Sequence, residues 1–240
     1  MNFPVRAITL DLDDTLWPFP PIGERIEQVL DDWMREHSPA TAAMFPLPAM
    51  RHLRERVFAD NPQLLHDLGA LRRMTLETAL RESGGALHRL DEAYDLFYAE
   101  RNKVDFYPDT LDALDRLAAR VPLASLSNGN ADLVRIGLAD RFVACLHSRE
   151  HGAAKPEVSF FHAACDALQL PPHEVLHVGD HIEMDALGAA RAGLRSCWLN
   201  RPNEAGEVAR WPDDVPRPDL EFSTLTALAD WLEAQATDGT

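Results

Sequence analysis

Lysine is almost missing from this chain. Of 23 basic residues only Lys103 and Lys155 are lysines, which leaves 21 arginines (23 − 2 = 21). Positive charge is itself scarce: 23 Lys+Arg against 39 Asp+Glu gives −16. A surface that acidic argues against general nucleic-acid binding and against docking on anionic lipid, since both rest on basic clusters. Long apolar runs are missing too; none approaches the ~20 residues needed to span a bilayer. Met1 to Arg6 has no charged segment followed by an apolar one, so no secretion signal is expected. Cysteine is limited to Cys145, Cys165 and Cys197, odd in number and far apart, which excludes a disulfide framework or a CxxC metal pair. A cytoplasmic protein is expected, with no membrane or nucleic-acid partner. Its oligomeric state is not legible.

What is present is ordinary globular material: 46% apolar and 26% charged residues in a chain of 240. That length buries a substantial core without staples, as one large domain or one domain with a sizeable insertion. Arg6 to Leu10 reads as a buried strand that runs into a loop, Asp11 to Pro18. From Ile22 to about Lys103 the period is helical, with Ile26, Val29, Leu30 and Trp33 on one stripe and Leu71, Met74, Leu76 and Leu80 on another. Four or five helices are expected there, as a domain inserted after the first strand. The boundaries expected are 17–105 for this helical cap and 1–16 with 106–240 for the remainder.

Beyond Tyr107 strands and helices alternate. Strands are expected at Val121 to Ser127, Phe142 to Leu146, Val175 to Val178, Arg195 to Leu199 and Leu220 to Phe222. Helices are expected after Pro108 and at 131–138, 159–168, 186–192 and 223–235. Such alternation predicts an α/β class, a Rossmann-like parallel sheet covered on both faces. Asn200 to Pro218 reads as an irregular surface stretch.

In an open α/β sheet, ligands bind beyond the carboxyl ends of the strands. Four chemically loaded segments fall there. Asp11-Leu12-Asp13-Asp14-Thr15 sets two carboxylates two residues apart, suited to nucleophile or metal ligand and to proton donor. Carboxylates crowded at the end of an apolar strand are costly unless paired, which a divalent cation would do. Ser127-Asn128-Gly129-Asn130 offers a hydroxyl and backbone N–H groups for an anion. Lys155-Pro156 carries one of the two lysines, a compact charge that can neutralise a phosphoryl group and a carboxylate together. Gly179-Asp180 to Asp185 adds hard oxygen ligands of the type Mg²⁺ prefers.

In this order and context the segments resemble the four motifs of the haloacid dehalogenase superfamily, and residues 17–105 resemble its α-helical cap. The resemblance runs from Ile8 to about Leu199. It implies Asp11 as nucleophile, Asp13 as general acid and base, and Lys155 as the balancing cation. It implies Mg²⁺ held by the carboxylates of Asp11 and Asp180 and the backbone carbonyl of Asp13. Ser127 and the amide of Asn128 would bind phosphoryl oxygens, Thr15 would support the loop on the substrate side, and Asp185 would orient Lys155 or metal-bound water.

The implied activity is phosphate-monoester hydrolysis through an aspartyl-phosphate. The dehalogenase branch lacks an acid at the position of Asp13. A phosphonate hydrolase would need a cap lysine, and residues 17–102 contain none. A mutase has no separate signal here, and a haloacid dehalogenase and a non-catalytic binding module stay as alternatives. For the substrate, the segments around Ser127, Leu176 to Asp180, Ala189 to Gly193 and Cys197-Trp198 resemble flavin-pathway phosphatases acting on FMN and on phosphorylated ribitylaminouracil. Broad sugar-phosphate and nucleotide phosphatases share the motif set. Trp17 has two readings, a ring that stacks on a flavin or uracil and an aromatic that packs the hinge. One of Arg72 and Arg73 is expected to reach the site, with Arg72 the candidate substrate contact. His177 is expected to be a hydrogen-bonded core histidine, His181 an outer-shell or surface group and Cys197 a buried hydrophobe.

Overall fold

The computed structural model describes residues 3–203 and 205–237. The chain divides into two units. The first comprises Met1–Pro18, Asp105–Gly129 and Leu133–Thr240; the second comprises Phe19–Val104 with Asn130–Asp132. The division falls at Phe19 and Val104, so Trp17 and Pro18 belong to the first unit.

The first unit is built on six parallel strands: β1 (Ala7–Leu10), β2 (Leu123–Ser127), β3 (Ala144–His147), β4 (Val175–Gly179), β5 (Arg195–Leu199) and β6 (Leu220–Phe222), in the order β3-β2-β1-β4-β5-β6. Every residue of β1, β2 and β4 is buried, as a sheet covered on both faces requires, whereas the edge strands β3 and β6 are not. The chain fills one side of β1 with β2 and β3, then crosses to β4, β5 and β6 on the other. The gap between β1 and β4 is therefore the point where strand order reverses, and side chains leaving those two strands converge. The register confirms the level: Leu10 lies opposite Ser125 on one side and Val178 on the other.

Helices α6 (Thr110–Ala118), α7 (Leu133–Ile136), α8 (Ser148–His151), α9 (Val158–Leu168), α10 (Gly188–Arg191) and α11 (Leu225–Thr237) complete this unit. Phe160 and Phe161 of α9, both fully buried, pack with Ala7, Leu126 and Val175 of the sheet. Burial of each such side chain stabilises by roughly 1.5–3 kcal/mol. The helix expected over 131–138 shrinks to four residues, because Gly137 takes the left-handed φ of 82° and ends it. The helix expected from 186 begins earlier and differently, as a π-turn over Ile182–Leu187 that leads into α10.

Asn200 to Pro218 is irregular and, among its described residues, largely exposed, as expected, with two buried exceptions. Trp211 is 2% exposed and meets Trp198 edge-on at 5.1 Å. Asn200, also buried, bonds both the N–H and the carbonyl of Ala209. Asn200 and Trp211 are the buried anchors of a segment that otherwise lies mostly on the surface.

The second unit is helical: α1 (Pro20–His37), α2 (Pro39–Met44), α3 (Leu47–Asp60), α4 (Leu68–Glu82) and α5 (Leu90–Arg101). Prolines stand in the first turns of α1, α2 and α3, where the missing N–H costs nothing. Ile22, Ile26, Leu30 and Met34 form the buried stripe of α1. Asp67 caps α4 by accepting from the Ala70 amide at 2.9 Å. Gly85 closes that helix where nothing larger fits: a Cβ there would stand 2.2 Å from the Thr41 hydroxyl and 2.3 Å from that of Ser38. No helix among the described residues is long and apolar enough to cross a membrane.

Candidate active site

The first unit gathers its acids at the β1–β4 crossing. Asp11 follows β1 directly, and its amide donates to the Val178 carbonyl at 2.9 Å, so the sheet ladder runs up to the residue itself. Beyond it the chain folds into a tight loop. The Asp14 amide donates back to the Trp17 carbonyl at 2.7 Å, and Asp14 holds a left-handed φ of 57°. Asp and Asn tolerate that region better than most residues. Inside the loop the Trp17 indole N–H donates to Asp13 Oδ1 at 2.8 Å.

Lys155 is the hub. It is 3% exposed, and its Nζ donates to Asp11 Oδ1 at 2.5 Å and to Asp185 Oδ1 at 2.6 Å. Its backbone is fixed by Asn128, whose amide oxygen accepts from Lys155 N at 2.7 Å while its Nδ2 donates to Lys155 O at 2.9 Å. The Asn128 side chain thus carries the segment that presents the lysine. Ser127 ends β2, buried, with Oγ accepting from Gly129 N at 3.0 Å.

Asp185 is turned into this cluster by the π-turn. Besides Lys155, its Oδ1 accepts from His177 Nε2 at 3.1 Å, and its Oδ2 accepts from the His181 amide at 2.9 Å. Gly179 makes the approach possible, since a Cβ there would lie 2.3 Å from Asp185 Cγ. His177 is fully buried and also contacts Thr9 Oγ1 through Nδ1 at 2.8 Å. Burial holds its pKa below the ordinary histidine range, against the pull of Asp185. A neutral ring that donates from Nε2 and accepts at Nδ1 satisfies both partners. The expected core histidine is therefore also a strut for Asp185. His181 is exposed, and its ring accepts the amides of Glu183 and Met184, capping the π-turn.

Asp180 leaves β4. Its carbonyl accepts from the Trp198 indole at 2.7 Å, and Thr15 Oγ1 stands 3.5 Å from its Oδ1. The oxygens of Asp11, Asp180 and Asp185 lie within 4.8 Å of one another. Burial raises the pKa of Asp11 to about 7, although Lys155 opposes it, and burial with Asp11 raises Asp180 to about 8. Burial also works to raise Asp185, but Lys155 and His177 hold it below the usual carboxylate range. The same two carboxylates hold Lys155 above the usual lysine range despite its burial.

Three carboxylates against one ammonium leave two negative charges in excess. Asp185 already serves the lysine, a histidine and an amide, so Asp11 and Asp180 are the carboxylates suited to a divalent cation. Hard oxygen donors and an unmet charge of −2 fit Mg²⁺. The Asp13 side chain is not in that cluster, being turned to Trp17.

Trp17 follows its packing reading, and Arg72 and Arg73 fall in the second unit. Trp17 is fully buried, edge-on to Phe106 at 6.0 Å and bonded to Asp13, so its ring packs the loop and offers no face to stack on a substrate. Arg73 pairs with Asp91 at 2.6 Å on the surface of the second unit. Arg72 belongs to the second unit as well, its guanidinium 5.1 Å from the Phe97 ring centroid.

Arg201 was missed. It follows β5, donates to the Thr15 carbonyl from Nε at 3.0 Å and from a second nitrogen at 2.9 Å, and pairs with Asp109 at 2.8 Å. Its guanidinium stacks 4.1 Å from the Tyr107 centroid. Asp109 in turn accepts from the Leu225 amide at the start of α11. One arginine thus ties the acidic loop to two other elements. Only its place two residues past a strand end could have marked it.

This arrangement matches known proteins. Residues 5–193 fit the haloacid dehalogenase-like hydrolase family model. The chain is 32% identical over 228 residues to the 5-amino-6-(5-phospho-D-ribitylamino)uracil phosphatase YigB of Escherichia coli, covering 93% of this chain and 94% of that one. It is 37% identical over 163 residues to a phosphoserine phosphatase of Thermus thermophilus, covering 65% and 63%. Among solved structures, a 2-haloacid dehalogenase from Pseudomonas syringae superposes with a TM-score of 0.85 at 33% identity, covering 97% of this chain and 99% of that one. The chain belongs to the haloacid dehalogenase-like hydrolases.

Proposed function

We propose that this protein is a Mg²⁺-dependent phosphatase acting on a small phosphorylated metabolite, with a flavin-pathway phosphate such as phosphorylated ribitylaminouracil or FMN as substrate. The observation that carries the reading is Asp13, two residues from Asp11 and oriented by Trp17 at 2.8 Å. An alkoxide leaving from phosphorus needs a proton, and a halide leaving from carbon does not. An acid held in place beside the nucleophile therefore favours phosphate esters over haloacids. The E. coli relative named above supports the flavin-pathway substrate.

Asp11 attacks phosphorus with the oxygen that Lys155 does not hold, forming the aspartyl-phosphate as the ester P–O bond breaks. Asp13 gives its proton to the departing alkoxide oxygen. Water then adds to phosphorus, Asp13 takes a proton from it, and the bond to Asp11 breaks to release phosphate. Ser127 and the Asn128 amide bind the transferring oxygens, and Lys155 offsets charge on Asp11 and the phosphoryl group. Mg²⁺, held by Asp11, Asp180 and the Asp13 carbonyl, would supply Lewis-acid stabilisation of the charged phosphoryl oxygens.

The test is phosphate release from FMN, phosphorylated ribitylaminouracil, sugar phosphates and nucleotides, with and without Mg²⁺, beside halide release from 2-chloropropionate. Preference for a flavin-pathway phosphate that vanishes with chelator and in Asp11→Asn supports the proposal. Flat activity across phosphates removes the substrate assignment. Halide release without phosphate release overturns the reaction class.

A further inference from the structure

The bond from Lys155 to Asp11 ends a line of hydrogen bonds that begins inside the sheet. Thr9 of β1 and His177 of β4 are cross-strand partners. Thr9 Oγ1 lies 2.8 Å from His177 Nδ1, and His177 Nε2 lies 3.1 Å from Asp185 Oδ1. The same Asp185 oxygen accepts from Lys155 Nζ at 2.6 Å, and Lys155 Nζ donates to Asp11 Oδ1 at 2.5 Å. Thr9 and His177 are fully buried, so neither touches a substrate. The Phe161 ring stands edge-on to the imidazole at 5.1 Å and limits its tilt.

The direction of each bond in this line is fixed by its acceptors. An ionised Asp185 can only accept, so His177 Nε2 must carry a proton. Burial keeps the ring neutral, which leaves a lone pair on Nδ1. The Thr9 hydroxyl, able to donate or accept, must therefore donate. The geometry points to Thr9 as a positioning residue for the nucleophile: its hydroxyl sets the His177 tautomer, the tautomer holds Asp185, and Asp185 with Lys155 fixes which oxygen of Asp11 is left for attack. Without that hydroxyl, Nδ1 is a buried acceptor with no donor, a costly state that the ring escapes by turning or by taking a second proton. Either change disturbs an Asp185 oxygen that Lys155 shares, and the attack geometry loosens. The effect on turnover rests on the phosphatase reading above; the tautomer assignment does not.

Two measurements test this. In the nitrogen-15 spectrum of histidine-labelled protein at neutral pH, His177 should be neutral, protonated at Nε2 and accepting a hydrogen bond at Nδ1. Thr9→Val should move the Nδ1 resonance to that of a ring nitrogen that accepts nothing, and Thr9→Ser should leave it in place. In steady-state hydrolysis of p-nitrophenyl phosphate with Mg²⁺, Thr9→Val should lower kcat about tenfold at unchanged KM, while Thr9→Ser stays within about twofold of the parent. A role in packing alone predicts the reverse order, because valine fills the volume that serine leaves empty. An unmoved Nδ1 resonance in Thr9→Val overturns the inference, as does a His177 ring protonated at Nδ1 or full turnover in Thr9→Val. If the parent hydrolyses no phosphate ester, the phosphatase reading fails and the ring spectra alone decide the place of Thr9. If Thr9→Val does not fold, Thr9→Ala takes its place in both measurements, and a parent ring carrying its proton at Nδ1 overturns the inference without any variant.

Discussion

Replacing Lys155 by methionine keeps the length of the side chain and removes the ammonium that two buried carboxylates share. That ammonium lies 2.5 Å from Asp11 and 2.6 Å from Asp185, and the side chains of Lys155, Asp11 and Asp185 are 2%, 12% and 2% exposed. Breaking a buried pair from one side costs about 3–5 kcal/mol, because the partner charge stays behind. Two partners stay behind here, but Asp11, with a pKa already near 7, can take up a proton and relieve part of the loss. A loss of roughly 4 kcal/mol at pH 8 follows, a large share of the ~5–15 kcal/mol of a typical domain. The loss depends on pH with a definite sign. Without the ammonium the pKa values of Asp11 and Asp185 both rise above their unfolded values. A group raised on folding favours the native state at low pH and loses that contribution as pH rises through the folded pKa. The gap between variant and parent is therefore widest at pH 8 and narrows toward pH 5.5. Urea denaturation in chelator at both pH values measures it. Lys103→Met is the control: that lysine is 64% exposed beside Glu100, and its loss should cost under about 1 kcal/mol. A Lys155→Met variant within 1 kcal/mol of the parent, or a gap that does not narrow on acidification, would refute the reasoning.

Three further outcomes are expected. Trp17→Phe removes the 2.8 Å bond to Asp13 and should lower kcat about tenfold with little change in KM, since the bond orients the acid and touches no substrate; an unchanged kcat in steady-state assays removes that role. Arg201→Lys loses the two-pronged hold on the Thr15 carbonyl and the stacking on Tyr107, and should cost about 2 kcal/mol in thermal or urea unfolding; a loss below about 0.5 kcal/mol counts against the clamp. Mg²⁺ should stabilise the protein more at pH 8 than at pH 6. Asp11 and Asp180, with pKa values near 7 and 8, hold protons in the native state that an unfolded carboxylate has already shed, so apoprotein stability falls as pH rises through those values and bound cation offsets the fall. Thermal shifts with Mg²⁺ against chelator at the two pH values decide it, and a larger effect at pH 6 is incompatible.

The sheet was legible because its strands are buried on both faces and so read as short apolar runs that stop on a polar residue: Leu10 before Asp11, Leu126 before Ser127, Val178 before Gly179 and Asp180. Arg195 to Leu199 and Leu220 to Phe222 were recovered residue for residue. Capping chemistry was less legible. Nothing in the periodicity of Ile182 to Arg191 distinguishes a π-turn from an α-helix; the difference is made by the His181 ring and by Asp185 bonding across to Lys155 and His177. Trp17 and Trp211 are buried for a common reason. An indole in a loop looks available in a sequence, yet each found a local acceptor for its N–H, Asp13 Oδ1 and the Val215 carbonyl, and a ring to pack against. Arg201 lay beyond reach because its partners are a carbonyl 186 residues away and a carboxylate 92 residues away.

Scaffold likeness does not decide the chemistry here. The chain is about as similar to a phosphatase, at 32% identity, as to a structure described as a 2-haloacid dehalogenase, at 33%. Both reactions begin with a carboxylate attacking an electrophile, and both need that carboxylate presented at the end of β1 with a cation nearby. What separates them is the rest of the charge around the nucleophile. A haloacid brings one negative charge and leaves as halide without a proton; a phosphate monoester brings up to two, and its alkoxide must be protonated. A nucleophile meeting a dianion needs more positive charge than one ammonium already divided between Asp11 and Asp185. The second acid near Asp11, Asp180, makes that shortage worse unless a divalent cation is bound, and it is of no use to a dehalogenase working with a lysine alone. Asp180 and Asp13 therefore argue together. In the proposed reaction, one calls for a cation that suits phosphate and the other would supply the proton that only the alkoxide needs. Exchanging both, as Asp13→Tyr with Asp180→Asn, should abolish phosphate release by more than a hundredfold while the protein remains folded. Retained phosphate turnover in that variant would move the acid and the cation site elsewhere.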